Sequence, residues 1–141
     1  MADAREKTLA RIHRVRTLQL GLTRADEARA HDKFASESAL SARISSLAAA
    51  VAPVPQSAVA VSLGATAHYR ERLQQSAAAA IDRVRSAEYQ VERAGDATRS
   101  AKRDQSAVEK LIARAQADAV IRELRALEDA PAFRKIRHDP C

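Results

Sequence analysis

The residues of this sequence that could ligate a metal ion or act as nucleophiles are few and far apart. His13, His31 and His68 are spread along the chain, and Cys141 is the single cysteine. His138 lies three residues before Cys141, a spacing that two zinc ligands can have. Two ligands do not complete the four-ligand shell of a structural zinc. The sequence therefore predicts neither a metal site nor a cofactor.

Glycine-rich loops that bind phosphates are also missing. Gly21, Gly64 and Gly95 each stand alone, whereas a phosphate-binding loop needs several glycines close together. Catalysis further requires a pocket in which polar groups converge and from which water is excluded. A pair of helices only one layer thick offers no such pocket. We predict that the protein is not an enzyme.

The composition is that of long helices. Hydrophobic residues make up 46% of the 141 positions, and alanine supplies much of that share, while only 3% are aromatic. Good helix formers occupy most of the remaining positions, which is typical of a coiled coil. The formal net charge of +6 favours an acidic partner, which by charge alone is a protein surface, a nucleic acid or a lipid headgroup.

No segment of the sequence has the length and apolar character of a membrane span. The longest stretch without charge, residues 44–67, is broken by Pro53, Pro55 and Gly64. No apolar segment follows Met1, so we expect no signal peptide. The location expected from these features is the cytoplasm.

In the first half of the chain, apolar or small residues recur every three to six residues, about 3.8 on average, and we interpret them as the stripe of a coiled coil. Glu37 interrupts this stripe. Pro53 ends the helix, because a proline pushes the residue before it out of the α region. We predict a first helix over residues 4–51. Its stripe comprises Leu9, Ile12, Val15, Leu18, Leu22, Ala25, Ala30, Phe34, Leu40, Ile44, Leu47 and Val51.

The second half carries a stricter stripe, in which steps of three and four residues alternate. A turn over 52–58 and a second helix over 59–128 follow from it, with a flexible basic tail over 131–141 after Pro131. The second stripe comprises Leu73, Ala77, Ala80, Val84, Ala87, Val91, Ala94, Thr98, Ala101, Gln105, Val108, Ile112, Ala115 and Ala119.

The predicted fold class is all-α, with two long helices forming an antiparallel coiled-coil hairpin as a single domain over residues 1–130. Helices joined by a short connection bury each other's apolar stripe. Pairing between molecules is the alternative. A fold-back near Val54 would place position i opposite about 108 − i, so Leu9 would face the neighbourhood of Arg99. Residues 108–127 would then project past the first helix.

Some apolar residues depart from the stripes and indicate partner binding. They lie near the turn and on the projecting segment, where an unpaired helix would leave them in water. Nucleic acid is not expected as the partner, because the basic first helix has no interleaved aromatic residues for stacking. The residues are Leu63, Tyr69 and Leu73 near the turn, and Leu111, Ile121, Leu124 and Leu127 on the projecting segment.

In size, in its two heptad helices and in its basic first helix, the sequence resembles the FliJ family of flagellar export proteins, which is related to stalk proteins of the YscO type. Two segments are also similar to the family: residues 103–111, Arg-Asp-Gln-Ser-Ala-Val-Glu-Lys-Leu, and residues 125–130, Arg-Ala-Leu-Glu-Asp-Ala. The resemblance covers roughly residues 4–128.

This resemblance implies a central stalk seated in the ring of the export ATPase hexamer. It also implies contacts with the cytoplasmic domain of the export gate and with export chaperones, at the inner membrane of the flagellar base. Tyr69, Leu73 and Ser76 match the spacing of the family's gate-binding residues, whereas Ala80 departs from the polar residue expected next. For the end that binds the ATPase, we assign Arg11, Arg14, Leu111, Leu124 and Leu127.

Two other functions remain open from the sequence. An export chaperone, or a general coiled-coil scaffold that binds a helical partner, would use the same projecting apolar residues. A basic nucleoid-type protein is the third hypothesis, and steep salt dependence of duplex binding would be its signature.

Overall fold

The computed structural model describes residues 2–51 and 60–130, and the side chains of 4–51 and 64–130. Helix α1 spans Ala2–Ala50 and helix α2 spans Ala60–Glu128. Within these residues all regular structure is helical. The sequence predicted helices over 4–51 and 59–128. The predicted turn over 52–58 and the tail over 131–141 lie outside the described residues.

Both helices end next to prolines. The Val51 N–H, one residue beyond the last residue of α1, still donates to the Leu47 carbonyl oxygen at 3.2 Å. The Asp129 N–H donates in the same way to the Arg125 carbonyl oxygen at 2.9 Å. Pro53 and Pro131 follow two residues after these last bonds. Because a residue before proline is disfavoured in the α region, neither helix can extend much further.

The chain comprises two compact units, each containing part of α1 and part of α2. The first unit consists of Met1–Thr17 with Arg103–Cys141, and the second is Leu18–Lys102. In the first unit, Arg16 Nη1 donates to Asp104 Oδ2 at 3.1 Å, and His13 Nε2 lies 3.3 Å from Glu109 Oε1. Residue numbers fall along α2 as they rise along α1. The two helices of this unit are therefore antiparallel.

The second unit has the same antiparallel arrangement. Lys33 Nζ donates to Gln90 Oε1 at 3.2 Å, and Arg83 Nε donates to Glu37 Oε2 at 3.2 Å. The fold class predicted from the sequence is confirmed: the protein is all-α, and its two long helices pack against each other as an antiparallel coiled-coil hairpin.

The register predicted from the sequence is wrong. In each unit the numbers of paired residues add up to about 121, not 108. Leu9 accordingly lines a groove together with Ile112, not with Arg99. Val108 is buried, so the unpaired part of α2 does not begin there. The predicted register was symmetric about Val54, whereas the observed pairs are symmetric about a point six to seven residues later.

The α2 stripe predicted from the sequence is confirmed. All fourteen of its residues are buried or half-buried, and they include the almost inaccessible Ala80 and Ala87. Steps of three and four residues keep a stripe on one side of a helix over many turns. In α2 this alternation continues from Leu73 to Ala119. We call this buried face of α2, with the α1 face that packs on it, the seam.

The α1 stripe predicted from the sequence is half wrong. Its steps were irregular, ranging from three to six residues, so it drifted around the helix instead of following one face. The stripe of α1 that is buried follows steps of three and four residues, and several of the positions that these steps select are occupied by polar residues. The residues predicted in the stripe but exposed are Ile12, Val15, Leu18, Leu22, Ala25, Leu40 and Leu47. The α1 side of the seam is Leu9, His13, Arg16, Leu20, Thr23, Glu27, Ala30, Phe34, Glu37, Ser41, Ile44, Ala48 and Val51.

The seam pairs large residues of α1 with small ones of α2. In the observed register, Leu20 lies level with Ala101, and Phe34 lies level with Ala87. A large side chain opposite an alanine fills the space between two closely packed helices. Glu37, which seemed to interrupt the stripe, is a seam residue held by Arg83.

We expect Arg83→Glu to lower the free energy of unfolding by about 1 kcal/mol, because two carboxylates would then face each other. Partial exposure keeps the effect modest, since 47% of the Arg83 side chain and 21% of the Glu37 side chain remain accessible. Urea unfolding followed by circular dichroism measures the change. The reversed pair, Glu37→Arg with Arg83→Glu, should regain most of the loss. If it regains none, the contact does not contribute to stability.

Candidate partner-binding surface

A second heptad stripe lies on α2 near its C-terminal end. Its members follow one another in steps of four, three, four and three residues. All of them are exposed, including Leu124 at 55% and Leu127 at 73% of their accessible surface. We call this set the outer stripe. It consists of Ala113, Ala117, Val120, Leu124 and Leu127.

The outer stripe faces away from the seam. Ala117 lies two residues after Ala115 and two before Ala119, and both of these neighbours are half-buried in the seam. A residue is rotated by about 100° from the one before it, so a step of two reaches the opposite side of the helix. In the first unit, α2 therefore has two apolar faces. One packs on α1, and the other is open.

The seam itself becomes polar where the outer stripe becomes strongly apolar. Continuing the seam past Ala119 in steps of three and four leads to Arg122, Ala126 and Asp129, and all three are exposed. The large apolar residues at the end of α2 lie on the outer face instead. This change of face indicates a segment built to pair with a helix other than α1.

A groove of about 810 Å³ lies beside the seam in the first unit. Its apolar wall includes Leu9 of α1 and Ile112 of α2, and Val120 of the outer stripe lines it together with Ile121. Arg5 and Arg125 also line it. Val120 therefore belongs both to the groove and to the outer stripe, and Ile121 extends the apolar surface that a partner would meet.

The structure brings together two of the five residues predicted to bind the ATPase. Leu124 and Leu127 are neighbours on the outer stripe. Leu111 is exposed but lies thirteen residues earlier, about 20 Å along α2. Arg11 and Arg14 are exposed on α1, at the level of α2 residues near 110 and 107. The role of these five residues stays a prediction.

The three residues predicted to bind the export gate lie in the second unit and do not share one face. Tyr69 and Ser76 are exposed and lie seven residues apart, which places them on the same side of α2. Leu73 is half-buried in the seam. Ala80, the departure noted in the sequence, is fully buried there. Only Tyr69 and Ser76 are free to meet a partner without opening the helix pair.

Sequence reasoning missed three members of the outer stripe. Leu124, Leu127 and the adjoining Ile121 were recognised as departures from the seam, but Ala113, Ala117 and Val120 were not. The signal was present, because the alternation of four and three continues through all five members. The seam conceals this second stripe, because both have the same seven-residue period on one helix.

Two kinds of site were predicted to be absent, a metal site and a membrane span, and the described residues bear on both. Among residues 4–51 and 64–130, no group of three or more His, Cys, Asp or Glu side chains is placed to hold a metal ion. Neither described helix contains a stretch apolar enough to cross a bilayer. His138 and Cys141 lie outside the described residues.

Seam and outer stripe together define the class of protein: an all-α coiled-coil hairpin with an additional, open heptad surface on its second helix. Comparison with known proteins gives no match, since no family model, no curated protein and no solved structure is similar to this chain.

Proposed function

We propose that this protein is a coiled-coil adaptor of the flagellar type III export system, acting without catalysis as a central stalk of the export ATPase ring. The outer stripe is the observation that carries the proposal. A stripe of exposed valine and leucine side chains in heptad spacing is suited to pairing with a helix of another protein. The resemblance of the sequence to the FliJ family supplies the export ATPase as that protein.

The physical properties of the chain agree with such a role. A stalk needs long helices, and α1 and α2 contain 49 and 69 residues. It needs no catalytic residues of its own, because the ring performs the hydrolysis. The net charge of +6 favours binding to an acidic ring surface. Arg11 and Arg14, both exposed, are the α1 side chains that we assign to this contact.

Contact with the export gate is assigned to the second unit. Tyr69 and Ser76 form the exposed pair there, and export chaperones are further partners in the proposal. These interactions would hold the protein at the cytoplasmic face of the inner membrane through its partners.

A second function uses the same surface. The outer stripe would equally suit an export chaperone or a general scaffold that binds a helical segment of another protein. The two functions differ in the partner. A stalk binds the export ATPase, whereas an export chaperone binds a structural subunit of the export system.

The proposal is tested by adding the purified full-length protein to the export ATPase of the same organism. We expect it to promote assembly of the hexamer and to raise the rate of ATP hydrolysis. If it does neither, the stalk function is wrong. Co-purification with a filament subunit in place of the ATPase would favour the chaperone function.

Tyr69→Ala separates the two proposed contacts. We expect it to weaken binding to the cytoplasmic domain of the gate about tenfold while leaving ATPase stimulation unchanged, because Tyr69 lies in the other unit from the outer stripe. Tyr89→Ala is the matched control, since Tyr89 is an exposed tyrosine on the same helix. If Tyr69→Ala reduces both activities, the assignment of separate contacts is wrong.

A further inference from the structure

The outer stripe has a charged edge with opposite signs at its two ends. Arg114, Ile121 and Glu128 each follow a stripe residue directly and recur every seven residues, so they line one side of the stripe. All three are exposed. Within the described residues, neither Arg114 nor Glu128 forms an ion pair. A positive and a negative side chain thus flank an apolar centre.

When a second copy of the helix runs in the opposite direction, its order of charges is complementary to that of the first, so that a positive side chain lies opposite a negative one. Two helices related by a two-fold axis meet along the same edge in opposite directions. With the axis at the level of Arg122, Arg114 of one copy lies within two residues, about 3 Å along the helix, of the partner's Glu128. Symmetry repeats the pair, so two ion pairs enclose one contact between the two Ile121 side chains.

The same axis also aligns the stripe residues. Val120 meets the partner's Leu124, and Ala117 meets the partner's Leu127. The pairing of Ala117 with Leu127 again places a small residue opposite a large one, as in the pairing of Ala87 with Phe34 in the seam. Parallel pairing has no such match, because it would place Glu123 beside the partner's Glu128.

We infer that two copies of this protein pair antiparallel through the outer stripe. The contact covers about two heptads, from Arg114 to Glu128, and withdraws Val120, Leu124 and Leu127 from water in each copy. Because it is short, the dimer is in equilibrium with the monomer. This inference goes beyond the proposed function and does not rest on it. Self-pairing and the binding of a partner helix compete for one face.

One contact opposes the pairing and gives a directional test. On the other edge of the stripe, Glu123 faces the partner's Glu123 near the axis. Like charges at such a site weaken association. Glu123→Gln should therefore tighten the dimer by a few-fold, an increase that a surface unrelated to this stripe would not show.

Sedimentation velocity of the full-length protein over a range of concentrations tests the inference. A reducing buffer prevents disulfides through Cys141. We expect a monomer–dimer equilibrium in which Arg114→Glu and Glu128→Arg each raise the dissociation constant about tenfold, because each replaces two attractive pairs by two repulsive ones. The double variant restores both pairs, so its dissociation constant should return close to that of the unchanged protein.

Leu124→Glu provides a stronger disruption, and its matched control is Leu18→Glu, an exposed leucine on α1. The first should leave only monomer, and the second should leave the equilibrium unchanged. A protein that stays monomeric at concentrations on the order of hundreds of micromolar overturns the inference. It is also overturned if Leu124→Glu leaves the dimer intact, or if the double charge reversal fails to restore it.

Discussion

Ala80→Asp is expected to lower the free energy of unfolding by about 3 kcal/mol, the largest effect on stability that we predict for a single substitution. Ala80 is fully buried in the seam of the second unit. An aspartate there would place a charge between two helices, and its short side chain cannot reach back to water. Urea unfolding of the purified protein, followed by circular dichroism, measures the loss.

Ala79→Asp is the control for this substitution. Ala79 is the preceding residue of the same helix and is exposed. The change in intrinsic helix propensity is the same at both positions, about 0.5 kcal/mol. The difference between the two variants therefore isolates the effect of burial. Equal destabilisation by the two variants would mean that Ala80 does not lie in the seam.

The combination of Leu124→Glu with Leu127→Glu is expected to have the largest effect on function. Burying one leucine side chain contributes roughly 1.5–3 kcal/mol, so loss of both should weaken binding to the export ATPase more than 100-fold. Stimulation of ATP hydrolysis should disappear with it. Calorimetric titration and a hydrolysis assay measure the two effects.

Leu18→Glu serves as the control here because Leu18 is as exposed as Leu127, at 69% against 73%. The helical content of all three proteins should be the same, since none of these leucines is buried. If the variant with both glutamates still stimulates the ATPase fully, the outer stripe does not bind it. If Leu18→Glu abolishes stimulation equally, the effect is one of surface charge.

How far the fold could be predicted from the sequence differs between the two helices. The α2 stripe was predicted correctly because its alanines and valines keep the coiled-coil alternation without a break. The α1 stripe was not, because His13, Arg16 and Glu37 occupy seam positions there while leucines such as Leu18 lie outside. Hydrophobicity alone would assign the leucines to the buried face of α1. The regular spacing of α2 decides which face of α1 is buried.

The register of the two helices could not be predicted from the sequence, for a related reason. Long repeats of alanine permit pairing at any shift of seven residues, since each shift aligns similar small side chains. Contacts between polar side chains distinguish the shifts, as Arg16 with Asp104 and Arg83 with Glu37 do. Such contacts can be recognised from the sequence only once both seams are known.

The candidate surface was predicted in part. The exposed leucines near the end of α2 were visible as departures from the first stripe. Their arrangement in a second stripe became apparent only when the seam had been located, because the two faces share the same seven-residue period. Tyr69 and Ser76 were predicted as one group with Leu73, and the structure separates Leu73 from them by burying it.

Cross-linking within one molecule tests most directly whether α1 and α2 pair as described. In a Cys141→Ser background, Lys33→Cys combined with Gln90→Cys should be cross-linked within one molecule by a short bifunctional thiol reagent, because the ends of the two native side chains are in contact. Lys33→Cys combined with Gln75→Cys represents the register centred on Val54, and its two cysteines would lie about 22 Å apart along the helix. We predict cross-linking of the first pair and none of the second. The opposite result, or cross-links formed only between molecules, would contradict the antiparallel hairpin in this register.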